Sequence, residues 1–324
     1  MKLSTTVAAL MLCVIAAVPS GAQVGQPLPD TSKVGGFAQS PARSFDDYTG
    51  RLILVEFFEH GSDACKTAVE HLNELQDEFG ASGLSVIGLT SEPAKPTDKF
   101  MKETNARYAY AYESSGKLMS ALGADSFPSA ALIDPSGTVV WTGIPSAIDS
   151  GLISKHIQGA FKKPTWEWPK STKSLVKILK QKQFAKALAG LDKLAGTEDS
   201  IDEIRASVEA MIAARMSALE SSYSEGNFLG ALDLAEVLKK QMKGIKTNSD
   251  RVAEVKSLIK ADKEAKRVIK LQQKLRELKA ERLNSPADVT KLIEVVEQFK
   301  EKAAGTYASK EADAFIDKLR SMQQ

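Results

Sequence analysis

The 324-residue sequence is poor in sulfur and in metal ligands, with two cysteines and three histidines. Two cysteines cannot build a disulfide-stapled scaffold, and three scattered histidines offer too little for a metal centre, so no metal is expected. No cofactor is expected either, because a glycine-rich phosphate loop is missing and no Ser/His/Asp set with a nucleophile elbow is present. An excess of one charge is lacking as well. With 43 Lys+Arg against 41 Asp+Glu, there is no bulk electrostatic case for nucleic acid or an anionic membrane as partner. Beyond the N-terminus, no apolar run approaches the roughly 20 residues of a membrane span. Aromatics are sparse at 6%, yet 43% of the residues are hydrophobic, enough to form real cores, and the length suits about two domains.

The first residues change the meaning of the cysteine count. Met1-Lys2 is a short basic start, Val7 to Val18 is an apolar run holding Cys13, and Pro19-Ser20-Gly21-Ala22 supplies small residues where a signal peptidase reads. Cleavage after Ala22 is predicted, giving an exported protein, periplasmic or secreted, with no stable membrane insertion. Retention of the segment as an anchor is the alternative. A lipid anchor would need a cysteine just past the cut, whereas Cys13 sits inside the run. Cys65 is then the single thiol left, and an exported protein with one sulfur has an odd thiol to explain.

Residues 23–163 alternate between strand-like and helix-like stretches. Arg51 to Phe58 is a strongly apolar strand, as expected where both sheet faces are covered. Cys65 to Phe79 reads as a helix with Val69, Leu72, Leu75 and Phe79 on one face, and Gly83 to Leu89 as a second buried strand. Short helices are predicted over Thr97 to Thr104 and Lys117 to Leu122, the latter closed by Gly123. Ala130 to Ile133 forms a strand that Asp134-Pro135-Ser136-Gly137 turns back into Thr138 to Trp141, and a last helix runs from Ser150 to Phe161. The pattern is an α/β layered domain.

Four stretches in order carry a resemblance. They are Val24 to Asp30, Phe45 to Arg51, the run Val55-Glu56-Phe57-Phe58 with Ser62-Asp63-Ala64-Cys65 and His71 to Leu75, and Ser126 to Asp134 around Pro128. Together they resemble the thioredoxin superfamily, specifically the exported thiol-disulfide reductases of TlpA and ResA type, over about 140 residues. The resemblance implies a thioredoxin-like fold, thiol-disulfide oxidoreductase ancestry, a cis-proline at Pro128 shaping substrate access, and a proton-relaying carboxylate at Glu56.

The site departs from that family's Cys-x-x-Cys, because it reads Ser62-x-x-Cys65. Thiol-disulfide exchange needs an exposed attacking thiolate and a second thiol to resolve the mixed disulfide. Ser62 holds the attacking position, and a hydroxyl can neither form the needed anion nor be oxidised to a disulfide. Gly61, Ala64 and Glu70 also replace the family's tryptophan and prolines. Three readings of Cys65 stay open: a small buried hydrophobe left at the resolving position, a working single thiol favoured as a thiolate by the first helical turn, and a peroxiredoxin-like Ser-x-x-Cys in which the hydroxyl orients peroxide. Glu56 is either a buried proton carrier or a strand residue facing solvent. His60, five residues from Cys65, is a candidate thiolate partner or an ordinary polar loop residue, and the same choice applies to His71.

Residues 164–170 join the halves, with Pro164 and Pro169 bracketing Trp166 and Trp168, and the tryptophans either dock the domains together or form an exposed aromatic binding patch. Residues 171–324 carry helical periodicity nearly throughout. Lys182-Gln183-Phe184-Ala185-Lys186-Ala187-Leu188 recurs as Gly226-Asn227-Phe228-Leu229-Gly230-Ala231-Leu232, with a fainter echo at Gly305-Thr306-Tyr307. An aromatic after a turn and small residues on the following helix resemble tetratricopeptide hairpins, although the spacing is longer and irregular. Ser249 to Leu283 reads as one or two long amphipathic helices, and Ser285-Pro286 as the start of the next. Two functions follow. One is a redox enzyme of monothiol type acting through Cys65, with Ser62, Glu56 and Pro128 around it; the other is a platform that binds protein partners without turnover, through the α/β surface or the helical array.

Overall fold

The computed structural model describes residues 24–324 apart from Asp125, Asp199, Arg282, Asn284, Met322 and Gln324. The expected signal segment and its cut after Ala22 lie outside the described residues. A six-stranded sheet comes first, built from β1 (Val34–Ala38), β2 (Leu52–Phe57), β3 (Leu84–Thr90), β4 (Ala109–Glu113), β5 (Ser129–Ile133) and β6 (Val139–Gly143) in the spatial order β1-β4-β3-β2-β5-β6. β2, β3 and β4 are parallel, while β1, β5 and β6 run antiparallel to their neighbours. Helices α1 (Asp63–Phe79), α2 (Ala94–Glu103), α3 (Lys117–Ala121) and α4 (Ser150–His156) cover it. The domain is thioredoxin-like.

Every residue of β2 is buried because both faces are covered. Strand alternation sends Leu52, Leu54 and Phe58 into one core with Val69, Leu72 and Leu75 of α1 and Ile153 of α4. It sends Ile53, Val55 and Phe57 into the other, with Phe45, Tyr48 and Leu118. Glu56 therefore shares the face beneath α1, and the reading that turns it to solvent is corrected.

Two strands escape sequence reasoning. β1 reads Val-Gly-Gly-Phe-Ala, a weak intrinsic strand signal that pairing with β4 overrides; β4 alternates strand-favouring tyrosine with alanine and is held between β1 and β3. The last helix also stops at His156 rather than Phe161. Gly159 takes a left-handed φ of 75°, and Phe161 N–H donates to Gly50 O at 2.8 Å, which spends on the sheet the donor a longer helix would need.

The remaining described chain is helical: α5 (Lys173–Lys180), α6 (Phe184–Leu194), α7 (Ser200–Ser224), α8 (Phe228–Gln241), α9 (Lys246–Ala261), α10 (Lys263–Lys279), α11 (Pro286–Lys302) and α12 (Tyr307–Ser321). The recurring aromatics Phe184, Phe228 and Tyr307 each open a helix after a left-handed residue, Lys182, Gly226 and Gly305. The long charged stretch divides at Asp262, whose carboxylate caps α10 by accepting from Glu264 N–H at 2.7 Å. Ser285 caps α11, with Pro286 as its first residue. One core runs through α5 to α10 around Phe184, Val208 and Leu238, and a second joins α10 to α12 around Leu292 and Val296.

The halves meet at the sheet end where β2 begins and β5 finishes. Trp166 stands edge-on to Tyr48 at 5.2 Å and Trp168 edge-on to Phe161 at 4.7 Å, so one ring anchors to the sheet domain and the other to the helical core. Lys180 pairs with Asp47, and Arg215 of α7 donates to Ser136 O in the β5–β6 turn. Arg51, 5% exposed, donates through Nε to Ser85 Oγ at 2.9 Å and through its two Nη groups to the carbonyls of Phe161, Lys162, Gly80 and Leu84.

Candidate functional site

The site forms at the opposite end of β2. The strand finishes at Phe57, and a turn through Glu59 to Ser62 leads into α1. Ser62 is the N-cap, its hydroxyl oxygen accepting from Cys65 N–H at 3.2 Å. That bond gives the serine a structural task, because one of the orphan amides of the helix start is satisfied by it.

Cys65 is a free thiol with no exposed surface, packed in the same core as Leu54, Phe58 and Val69. Its thiol is pushed above the ordinary range. Burial is the main cause, opposed by contacts with the Ser62 hydroxyl and the Glu59 backbone, and reinforced by the carboxylates of Glu56 and Glu59. The first-turn position was expected to favour a thiolate; desolvation outweighs it, because the helix-end field acts on a sulfur that has lost its water.

Glu56 is 1% exposed. Its Oε2 accepts from Tyr108 O–H at 2.9 Å, while its buried Oε1 has no partner. Burial carries its pKa up to about 8, with the tyrosine bond pulling the other way. Tyr108 is itself held well above the usual phenol range by burial and then by the neighbouring carboxylate. At neutral pH the pocket beneath α1 thus contains a neutral thiol, a neutral phenol and a largely protonated carboxyl group.

The Phe127–Pro128 peptide is cis. Pro128 immediately precedes β5, whose first residue, Ser129, pairs with Phe57, so it stands in the strand next to the turn that carries Ser62. His60 turns to a different partner: Glu92, two residues past β3, accepts from His60 N–H at 2.5 Å and lies 2.6 Å from His60 Nδ1. His71 Nε2 lies 2.8 Å from Ile148 O, tying α1 to the segment before α4. The fold thus gathers Cys65, Ser62 and Glu56 under one helix start, sets Pro128 on the adjoining strand, and gives both histidines bracing contacts.

Sequence reasoning missed Tyr108 and Glu92. Both follow from topology: Glu92 lies outside the carboxyl end of a parallel strand, where such sheets place their sites, and Tyr108 leads into β4 on the same side of the sheet as α1. Among the described residues no group of three or more His, Cys, Asp and Glu side chains is placed to hold a metal ion, and no helix is long and apolar enough to cross a membrane.

Comparison with known proteins points the same way as the turn, the thiol and the cis-proline. Residues 24–142 match the AhpC/TSA family. The match covers less than half of the chain. Among curated proteins the chain is similar to the thiol-disulfide oxidoreductase ResA of Bacillus thuringiensis subsp. konkukian, 23% identical over 95 residues, 29% of this chain and 55% of that protein. The chain thus spans about half the length of the curated relative it matches. Among solved structures it is similar to a putative thiol:disulfide interchange protein DsbE from Chlorobium tepidum, at 22% identity, TM-score 0.33, with 38% of this chain and 86% of that one covered. A PrxQ mutant of Xylella fastidiosa is similar at 17% identity and TM-score 0.36, over 42% of this chain and 94% of that one. Residues 24–142 are thus similar in sequence to the AhpC/TSA redoxins.

Proposed function

We propose that this chain is an exported redoxin-like protein from which the ordinary two-thiol cycle has been lost, leaving at most single-thiol chemistry at Cys65. The observation that carries the reading is the pairing of a serine N-cap with an enclosed cysteine. The attacking position has become a helix cap, and the retained sulfur is buried and protonated. In a single-thiol step Cys65 would exchange with a partner's disulfide, giving a Cys65–partner mixed disulfide and one released partner thiol, and a different free thiol of the partner would then resolve it, so that the partner's cysteines are re-paired with no net oxidation or reduction. Glu56, with its open Oε1 and a pKa of about 8, is the group suited to take the Cys65 proton in its ionised form, a minority at neutral pH that grows as pH rises toward 8. A buried carboxyl with an unpaired oxygen is costly, and proton transfer is a reason to keep one.

A second reading has its own support. Full enclosure of Cys65 favours a platform that binds protein partners without turnover, at the surface around Pro128 or along the helical array, which is tetratricopeptide-like in placing aromatics at its helix starts. Peroxide reduction by Cys65 with Ser62 orienting the peroxide is the third, and the AhpC/TSA match supports it. Export to the periplasm or beyond rests on the basic-apolar-small pattern of residues 1–22.

One set of assays separates these. The protein lacking residues 1–22, Cys65→Ser and Ser62→Cys are compared in insulin reduction, peroxide consumption and Cys65 alkylation. Recovery of insulin reduction in Ser62→Cys, from a parent near background, is the expected result. Alkylation of Cys65 at the rate of a free exposed thiol would sink the enclosed-thiol reading, and no gain in Ser62→Cys would leave the platform.

A further inference from the structure

The junction between the halves encloses a cavity of about 70 Å³ that serves no part of the site described above. It is far larger than the space one water needs. Leu28, Ile133 and Met211 give it apolar walls, and Arg51, Lys182 and Arg215 face Asp46 and Asp134 across it, leaving one positive charge unmatched.

The cations differ in what holds them. Arg51 is spent on backbone carbonyls. Arg215, 5% exposed, donates through Nη1 to Gln241 Oε1 at 2.8 Å and through Nη2 to Ser136 O, and its guanidinium lies 5.5 Å from the Phe184 ring centre. Its Nε–H has no partner, although it is fully enclosed. Lys182 has no hydrogen bond or ion pair among the described residues, feeling only the repulsion of Arg215 and the attraction of Asp46 at longer range. It also stands at a left-handed φ of 55°, where glycine would be free of strain. Asp134 is engaged by Ser136 Oγ and Thr138 N–H. An unpartnered ammonium, one positive charge in excess and an apolar wall are the ingredients of a site for a small organic anion.

We propose that this interdomain cavity binds a small monocarboxylate with a short apolar body, its carboxylate on the Lys182 ammonium with the Arg215 guanidinium adding positive charge behind it, its body against Leu28 and Met211. Such a ligand would bridge α7 and the α5–α6 turn to the β5–β6 turn and strengthen the junction.

The test uses the full chain from residue 23 onward and butanoate as probe, with acetate, inorganic phosphate and chloride at matched ionic strength. Thermal unfolding should shift upward by roughly 2–4 °C at about ten times the dissociation constant of butanoate and go on rising with the logarithm of its concentration, and less with acetate. Lys182→Gly, which suits the left-handed backbone, should fold and lose the shift, and Lys182→Arg should keep it. Equal shifts from butanoate, phosphate and chloride would mean charge screening alone and overturn the proposal. So would the absence of a butanoate shift beyond that of chloride, or an unchanged shift in Lys182→Gly.

Discussion

The two ends of the central strand bury opposite ionisable groups and treat them in opposite ways. Just before β2, Arg51 is enclosed at the domain junction with five acceptors around its guanidinium. Near its other end, Glu56 is enclosed beneath α1 with one donor and one empty oxygen. Burial lowers the arginine to about 10, still charged in the neutral range, and raises the glutamate to about 8, largely uncharged there. A satisfied buried charge is a structural rivet. An incompletely satisfied one is a place where protons can move. The same strand thus separates the molecule's architecture from its chemistry.

The largest effect expected from breaking this contrast is at the arginine end. Arg51→Met should cost about 3–5 kcal/mol, because it strands the carbonyls of Gly80, Leu84, Phe161 and Lys162 inside the junction. The urea unfolding midpoint measures it, and a midpoint within error of the parent would mean those carbonyls find water instead.

At the other end the effect depends on pH. Glu56 has a folded pKa of about 8 against a reference value of 4.5, so between those values the folded chain holds a proton that the unfolded chain has released. Its contribution to stability must therefore fall as pH rises through that window, by a few kcal/mol in order of magnitude. Glu56→Gln removes the titration and keeps an acceptor for Tyr108. Unfolding free energies should be similar for parent and variant at pH 4.5 and diverge upward, with the variant the more stable at pH 9. A difference independent of pH would show that Glu56 ionises as freely in the fold as outside it.

The smallest effect sharpens the role given to Ser62. Ser62→Ala should cost about 1 kcal/mol through loss of the cap on α1, and Ser62→Asn should restore most of it. Failure of asparagine to rescue would mean that the hydroxyl does something besides capping.

Much of this was legible from residue order. The apolar run of β2, the periodic face of α1, the turn at Asp134 to Gly137 and the Ser285 cap each depend on local pattern, and local pattern is what sequence carries. The tryptophan pair between two prolines likewise announced a junction. β1 was not legible, since its two glycines have little strand preference and the segment becomes a strand by pairing with β4; the alternating tyrosines of β4 did carry a strand signal, and β1 and β3 hold that segment in the sheet. The end of α4 was not legible either, because the Gly50 carbonyl that takes the Phe161 amide lies a hundred residues away in the chain.

The candidate site divides along the same line. Residue order alone determined that position 62 offers a hydroxyl rather than a thiol, that Cys65 follows it one helical turn later, and that no disulfide can form between these two positions. Those conclusions are chemical, and depend only on which atoms are present. Only the tertiary structure decided that Cys65 is enclosed, that Tyr108 holds one oxygen of Glu56 and leaves the other open, and that Glu92 engages His60. A pKa belongs to a group's surroundings rather than to its identity, and for Glu56 those surroundings include Tyr108, 52 positions away in the chain and brought close by the sheet.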